Sequence, residues 1–181
     1  MVGCVPPITE ASISNVKQYK YDEECEDYPP CNAMLSIAAE NWRGHHWRDA
    51  IDNYNKLFKC GCTEIKDSAG EIYKYLGYSY RQLGLYDSAA YIFDQGLKFI
   101  QEDIELLEYA GENAGKLNKV EKQIYYYDKI LSFEENNLEI LEMLSNVYRD
   151  REMYEDQVSI LNIWLNYEPT SKNANAEKKA A

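Results

Sequence analysis

Histidine is almost missing from this chain: two residues in 181, adjacent at His45 and His46. Proline is scarce as well, and beyond Pro29-Pro30 only Pro169 remains. No phosphate-cradling glycine loop, nucleophile elbow or metalloprotease helix is present, and no motif sets two carboxylates around a reacting bond. These absences leave an enzyme without its usual tools, and neither a cofactor nor a metal site is expected. No apolar run approaches the about 20 residues that cross a bilayer as a helix. Positive charge is short too. Lys and Arg number 19 against 31 Asp and Glu, for a formal net charge of −12. A nucleic-acid binder needs a basic surface to displace counterions from phosphate, so this charge excludes that class. Anionic membrane surfaces are disfavoured for the same reason. A protein or peptide, most simply a basic one, is the partner that the charge admits.

What the chain does have is aromatic residues at helical intervals. The stretch Tyr73 to Leu97, YKYLGYSYRQLGLYDSAAYIFDQGL, holds six tyrosines and no proline. Apolar periodicity of the helical kind begins near Asn32 and runs to about Tyr167, with no strand-like alternation. Residues 1–30 differ. They are poor in aliphatics, carry the cluster Asp22-Glu23-Glu24-Cys25-Glu26-Asp27, and end on two prolines that bar helix there, so they are expected to form an extended arm. Residues 172–181 are polar and rich in Ala, Lys and Asn, and are expected to be a frayed tail.

The helical span repeats itself. Leu76-Gly77 and Tyr80 are followed by Gly84, Tyr86, Ala89 and Phe93. One period of 34 later come Ala110-Gly111, Ala114, Val120 and Tyr127. A second period brings Leu144-Ser145, Tyr148, Tyr154, Leu161, Trp164 and then Pro169. Going backwards, the step is longer, with extra residues in the connection, and the pattern recurs at Ile37-Ala38, Trp47, Ala50 and Tyr54. The period and residue types resemble the tetratricopeptide repeat family, over four repeats at 31–64, 70–103, 104–137 and 138–171. The second repeat carries the pattern best. Elsewhere Val120 stands for an aromatic, and Gln123 and Gln157 stand for the small residue that Ala50 and Ala89 supply.

The resemblance implies an all-α fold, a right-handed superhelix of four helix-turn-helix units with an extended N-terminal arm. Each unit is too thin to bury its own faces, and stacking supplies the core. Gly77 and Gly111 would let paired helices approach closely, a gain that offsets the roughly 1 kcal/mol a helical glycine costs. Gly84 and Asn118 suit left-handed turns within the repeats. The tyrosines are expected to be mostly core, with wet hydroxyls on the half-buried ones.

Four of the five cysteines, Cys25, Cys31, Cys60 and Cys62, form an even set. Cys31 opens the first helix, and Cys60 and Cys62 follow its antiparallel partner, so these ends should meet. Cys31 can reach Cys60 or Cys62, with Cys25 taking the other. Two such disulfides would pin the acidic arm to the first repeat, at roughly 2–4 kcal/mol each. One zinc in a four-thiolate site, or four reduced thiols, are the alternatives. Disulfides would place the protein in an oxidising compartment. The start Met1-Val2-Gly3-Cys4 resembles the end of a bacterial lipoprotein signal, with Cys4 the lipidated residue. Together these point to the bacterial envelope, periplasm or exterior, with a lipid anchor at Cys4. The cytoplasm is the alternative.

By the family pattern, the first helix of each repeat lines a concave face on which partner peptides lie. The inward residues would include Lys74, Tyr78 and Arg81; Glu105, Glu108 and Glu112; and Glu139, Glu142 and Asn146. The basic clamp of chaperone-binding members is absent, because Leu35, Ala39, Glu105 and Tyr109 stand where it would be. The expectation is a non-enzymatic interaction scaffold or adaptor that takes a basic or aromatic-basic segment, with cation–π help from Tyr78. Two alternatives stand beside it. One is a structural subunit that self-associates through an uncapped C-terminal repeat, since Val158, Ile160, Leu161, Ile163 and Trp164 cannot all face inward. The other is an accessory module of an enzyme complex.

Overall fold

Short amphipathic stretches, most of them 13 or 14 residues long, are closed by tight turns and set the architecture. The computed structural model describes residue 25, residues 27–62 and residues 69–180. Among the described residues the secondary structure is nine α-helices and no strand: α1 Cys31–Arg43, α2 Trp47–Lys59, α3 Ala69–Gln82, α4 Tyr86–Phe99, α5 Ile104–Lys116, α6 Val120–Phe133, α7 Leu138–Asp150, α8 Tyr154–Tyr167 and α9 Lys172–Ala180. The all-α expectation holds.

The turns keep one register. The backbone enters the left-handed region at His45, Gly84, Asn118 and Glu152, with φ of 60°, 74°, 57° and 59°. The intervals between these positions are those of the sequence repeat, with the first again the longest. Gly84 and Asn118 tolerate this conformation, whereas His45 and Glu152 adopt it at a cost of about 1 kcal/mol each. Helix starts are capped where the chain changes repeat. The Asp103 carboxylate accepts from the Leu106 amide at 2.9 Å, and Asn137 Oδ1 accepts from the Ile140 amide at 3.1 Å.

The chain divides into two compact units, one ending at Leu117 and the other beginning at Asn118. In the first unit, α1 pairs with α2 and α3 with α4, and α5 packs on α4. The first helices of the repeats also touch in series, α1 to α3 and α3 to α5, and so make one continuous layer. The core between layers holds Ile51, Tyr54, Leu57, Ile72, Leu76, Tyr80, Ile92, Phe93, Leu106 and Leu107, all essentially without exposed surface. A Cβ on Gly77 would fall within the Phe93 ring, so glycine is what lets α3 and α4 close. Of the six tyrosines between Tyr73 and Leu97, Tyr73 and Tyr80 are buried and the other four are half-buried.

Cys25 is bonded to Cys60, and Cys31 to Cys62, with Cα separations of 5.8 and 5.6 Å. The bonds tie residue 25 and the start of α1 to the end of α2, one of the two pairings that the hairpin leaves open. His45 and His46 lie in the exposed turn between these helices, and His45 stacks on Trp47 at 5.0 Å.

In the second unit α6 packs on α7, α7 on α8, and α8 on α9. Its core is Ile130, Ile140, Leu141, Leu144, Leu161 and Trp164. Gln157 stands where the repeat pattern has a small residue and is buried there, its side-chain oxygen without a partner among the described residues.

Residues 172–180 depart from the expected frayed tail: they form α9. Ala174 is fully buried, and Glu177 accepts from Ser145 Oγ at 2.8 Å and pairs with Arg149 at 3.1 Å. Low hydropathy hid this helix, because Ala, Lys and Glu are good helix formers that need only one buried contact to anchor them. The last hairpin is therefore partly covered by a polar helix. Of the residues that could not all face inward, Leu161 and Trp164 are buried and Ile163 is left exposed.

Candidate functional site: two helix walls and their charges

In the first unit, α3 and α5 present the predicted wall residues side by side. Spacing of three or four residues keeps Lys74, Tyr78 and Arg81 on one face of α3, and Glu105, Glu108 and Glu112 on one face of α5. The structure pairs the two sets with each other. The Lys74 ammonium lies 2.7 Å from Glu105 and 3.3 Å from Asp103. Arg81 is hydrogen-bonded to Glu112. Its guanidinium sits over the Tyr78 ring at 5.0 Å and the Tyr109 ring at 5.6 Å. The Tyr109 hydroxyl donates to Glu105 at 2.7 Å.

The electrostatics follow from this network. Burial alone would lower the Lys74 ammonium's pKa, but the hydrogen bond and charge of Glu105, with those of Asp103, hold it above its ordinary range. Burial alone would raise the Glu105 carboxyl, and the bonds from Lys74 and Tyr109 bring it below its ordinary range. Burial, then the bond to Glu105, pushes the Tyr109 hydroxyl far up, so it remains a donor. Glu105 and Glu112 are thus committed within the chain, and the face of Tyr78 already holds a cation of its own. This wall is satisfied internally and has little charge to offer.

Beside it, α1 and α3 enclose a smaller pocket of about 180 Å³, lined by Leu35, Ser36, Ala39, Trp42, Arg43, Glu71 and Tyr75. Sequence reasoning placed Leu35 and Ala39 on this face and missed Trp42 and Tyr75. The spacing 35, 39, 42 continues one helix face, and that signal could have found Trp42.

In the second unit, Glu139, Glu142 and Asn146 lie along α7. Glu139 is exposed, and Glu142 and Asn146 are half-buried. Glu139 and Glu142 line a concavity of about 680 Å³ with Leu138, Trp164, Glu168, Lys172 and neighbouring residues up to Asn173. The indole N–H of Trp164 donates to Glu168 at 3.2 Å. Among the described residues, no hydrogen bond or ion pair involves the carboxylates of Glu139 and Glu142. The concavity therefore carries three carboxylates against one ammonium. Glu168 and Lys172 are not singled out by repeat spacing, because they lie at the C-cap of α8 and at the start of α9, past the first helix of the repeat.

No group of three metal-ligating side chains lies together among the described residues, and no helix there is long and apolar enough to cross a membrane. Cys4 lies outside the described residues.

No family model and no curated protein matches the chain. Solved structures do. A crystal structure of MamA superposes with a TM-score of 0.69 at 13% identity, covering 83% of this chain and 79% of that one. A double mutant of MamA from RS-1 gives 0.67 at 12% identity, covering 88% and 83%. A tetratricopeptide repeat protein from Parabacteroides merdae gives 0.72 at 15% identity; it covers 81% of this chain, which spans 57% of that longer one. At such identities the likeness is one of fold, and the fold is that of the tetratricopeptide repeat.

Proposed function

We propose that this protein is a non-catalytic interaction scaffold that holds a basic segment of a partner polypeptide. The observation that carries the reading is the concavity on α7, where Glu139 and Glu142 stand unpaired beside Glu168 and the Trp164 ring. A lysine or arginine side chain entering there would meet carboxylates that need no prior bond broken. The α3–α5 wall is a poorer docking place for a cation, since its carboxylates would have to leave Lys74 and Arg81 first. Of the wall residues expected from the sequence, this reading rests on Glu139 and Glu142 rather than on Glu105 and Glu112. The fold supports a scaffold over an enzyme, and no catalytic constellation among the described residues competes with it. The two disulfides support an oxidising compartment, in keeping with an exported or envelope protein. The polar α9 lying on α7 and α8 weighs against self-stacking through a bare last repeat.

The test is fluorescence anisotropy with a labelled Lys/Arg-rich peptide containing aromatics, at low and physiological salt. Reversing Glu139→Lys and Glu142→Lys should weaken binding roughly tenfold, from two exposed ion pairs of up to about 1 kcal/mol each plus repulsion. Binding that is unchanged by the reversal would remove the basis for the reading.

A further inference from the structure

The turn between α1 and α2 carries charge of the sign that the chain otherwise lacks. From Asn41 to Arg48 the sequence reads NWRGHHWR: two arginines, two histidines, two tryptophans and no carboxylate, in a chain where Asp and Glu outnumber Lys and Arg by 31 to 19. Arg43, His45, His46 and Arg48 are exposed. His45, held at a φ of 60°, lies nearly parallel to Trp47, with ring centroids 5.0 Å apart and planes 17° apart. Among the described residues, no hydrogen bond or ion pair involves the Arg43 guanidinium. Lys74 and Arg81 on α3 differ, being spent on Asp103, Glu105 and Glu112. The turn therefore offers an exposed cation beside a stacked aromatic pair.

Its complement lies in the second unit of the same chain. The concavity on α7 sets Glu139, Glu142 and Glu168 against the ammonium of Lys172, with the partly exposed Leu138 among its lining. We propose that the α1–α2 turn of one copy docks into the α7 concavity of another, so that the partner of the acidic wall is a second copy of this chain. The proposal rests on the reading of that concavity as a site for a basic segment, and supplies the segment. The planar guanidinium of Arg43 can bond the unpaired carboxylates of Glu139 and Glu142 together, and the His45–Trp47 pair covers Leu138. About 680 Å³ is more than one side chain needs and admits the tip of a turn. Each copy carries a net charge of −12, so copies repel at long range and only locally opposite surfaces can hold them. The two surfaces differ, so a docked copy still presents a free turn or a free concavity, and association runs on as an open chain or a ring. The contact leaves α9 in place and is distinct from the stacking of bare repeat ends. It is small and polar, which puts its dissociation constant on the order of 100 µM.

Sedimentation velocity of the full chain tests this. Between about 5 and about 500 µM at about 50 mM salt, the average mass should rise with concentration, and about 500 mM salt should return it to the monomer. Glu139→Lys/Glu142→Lys removes the acceptor surface, and Arg43→Gln/His46→Gln, at two exposed side chains, removes the donor surface. Each variant alone should associate at least roughly tenfold more weakly at an unchanged melting temperature. Mixed in equal amounts, they should regain the parent affinity but stop at a dimer, because one supplies an intact turn and the other an intact concavity. A Lys/Arg-rich peptide with aromatics, which takes the same wall, should dissolve the parent oligomers without any substitution. Three results would each overturn the proposal: a parent chain that stays monomeric up to about 500 µM while binding the peptide; association that survives the turn substitution; or a mixture that associates no better than its components. The first leaves the scaffold reading intact, whereas a peptide that fails to bind the parent chain removes both.

Discussion

The two disulfides close overlapping loops, and the overlap makes a quantitative prediction. Cys25–Cys60 spans 35 residues and Cys31–Cys62 spans 31. Taken alone, loops of these sizes restrict the unfolded chain by about 3.7 kcal/mol each at 25 °C. They are not alone. With Cys31–Cys62 in place, the circuit that Cys25–Cys60 closes runs from residue 25 to 31, across the other bond, and from 62 back to 60. That is roughly eight residues, for which the same relation returns about 2.5 kcal/mol. The converse holds by symmetry. Removing either bond, as Cys25→Ser/Cys60→Ser or as Cys31→Ser/Cys62→Ser, should therefore cost about 2.5 kcal/mol. Removing both should cost about 6 kcal/mol, roughly 1 kcal/mol more than the two single losses added together. Urea denaturation of the four species, followed by far-UV circular dichroism, measures this. Strict additivity, or a loss from either bond well below about 2 kcal/mol, would refute the idea that these bonds act through the unfolded chain. The outcome also bears on compartment, since a first hairpin that depends on both bonds is unsuited to a reducing cytosol.

Two further changes probe the packing and the charge network. Gly77→Ala places a methyl group into the buried Phe93 ring and should destabilise by about 1–3 kcal/mol despite alanine's better helix propensity. Phe93→Leu in that background should then cost less than in the parent, and urea unfolding of the four-member cycle checks it. The Glu105 carboxyl is held below its ordinary range against burial by Lys74 and Tyr109, so its contribution is present above the unfolded value near 4.3 and is lost as pH falls through the lowered folded value. The wild type should therefore lose more stability than Glu105→Gln between about pH 5 and pH 3. The excess should be under about 1 kcal/mol because the side chain is 44% exposed, and thermal melts across that range report it.

The repeat and the helices that carry it were legible in the chain because both depend on local pattern. Gly84 and Asn118 announce their turns by residue type. His45 and Glu152 do not, and there the register of the neighbouring helices imposes the left-handed backbone. The site was legible only in part. Family spacing placed Lys74 and Arg81 on one helix and Glu105 and Glu112 on the next, yet nothing in a linear pattern says whether two such sets face a partner or each other.

Sequence by itself determined that this protein is a run of helical hairpins with an acidic balance and a cysteine set at one end, since helical periodicity and a repeating pattern of residue types need no knowledge of distant contacts. Tertiary structure alone decided which cysteines bond, that α9 folds back, that Lys74 and Arg81 are already neutralised, and that the Trp42 indole and the Tyr54 hydroxyl are buried without an acceptor among the described residues. The physical reason is common to all four. A bond, an ion pair or an unmet donor is a property of two groups brought within a few ångströms by helices far apart in the chain, and a charge becomes available or spent only when its neighbour across that gap is known.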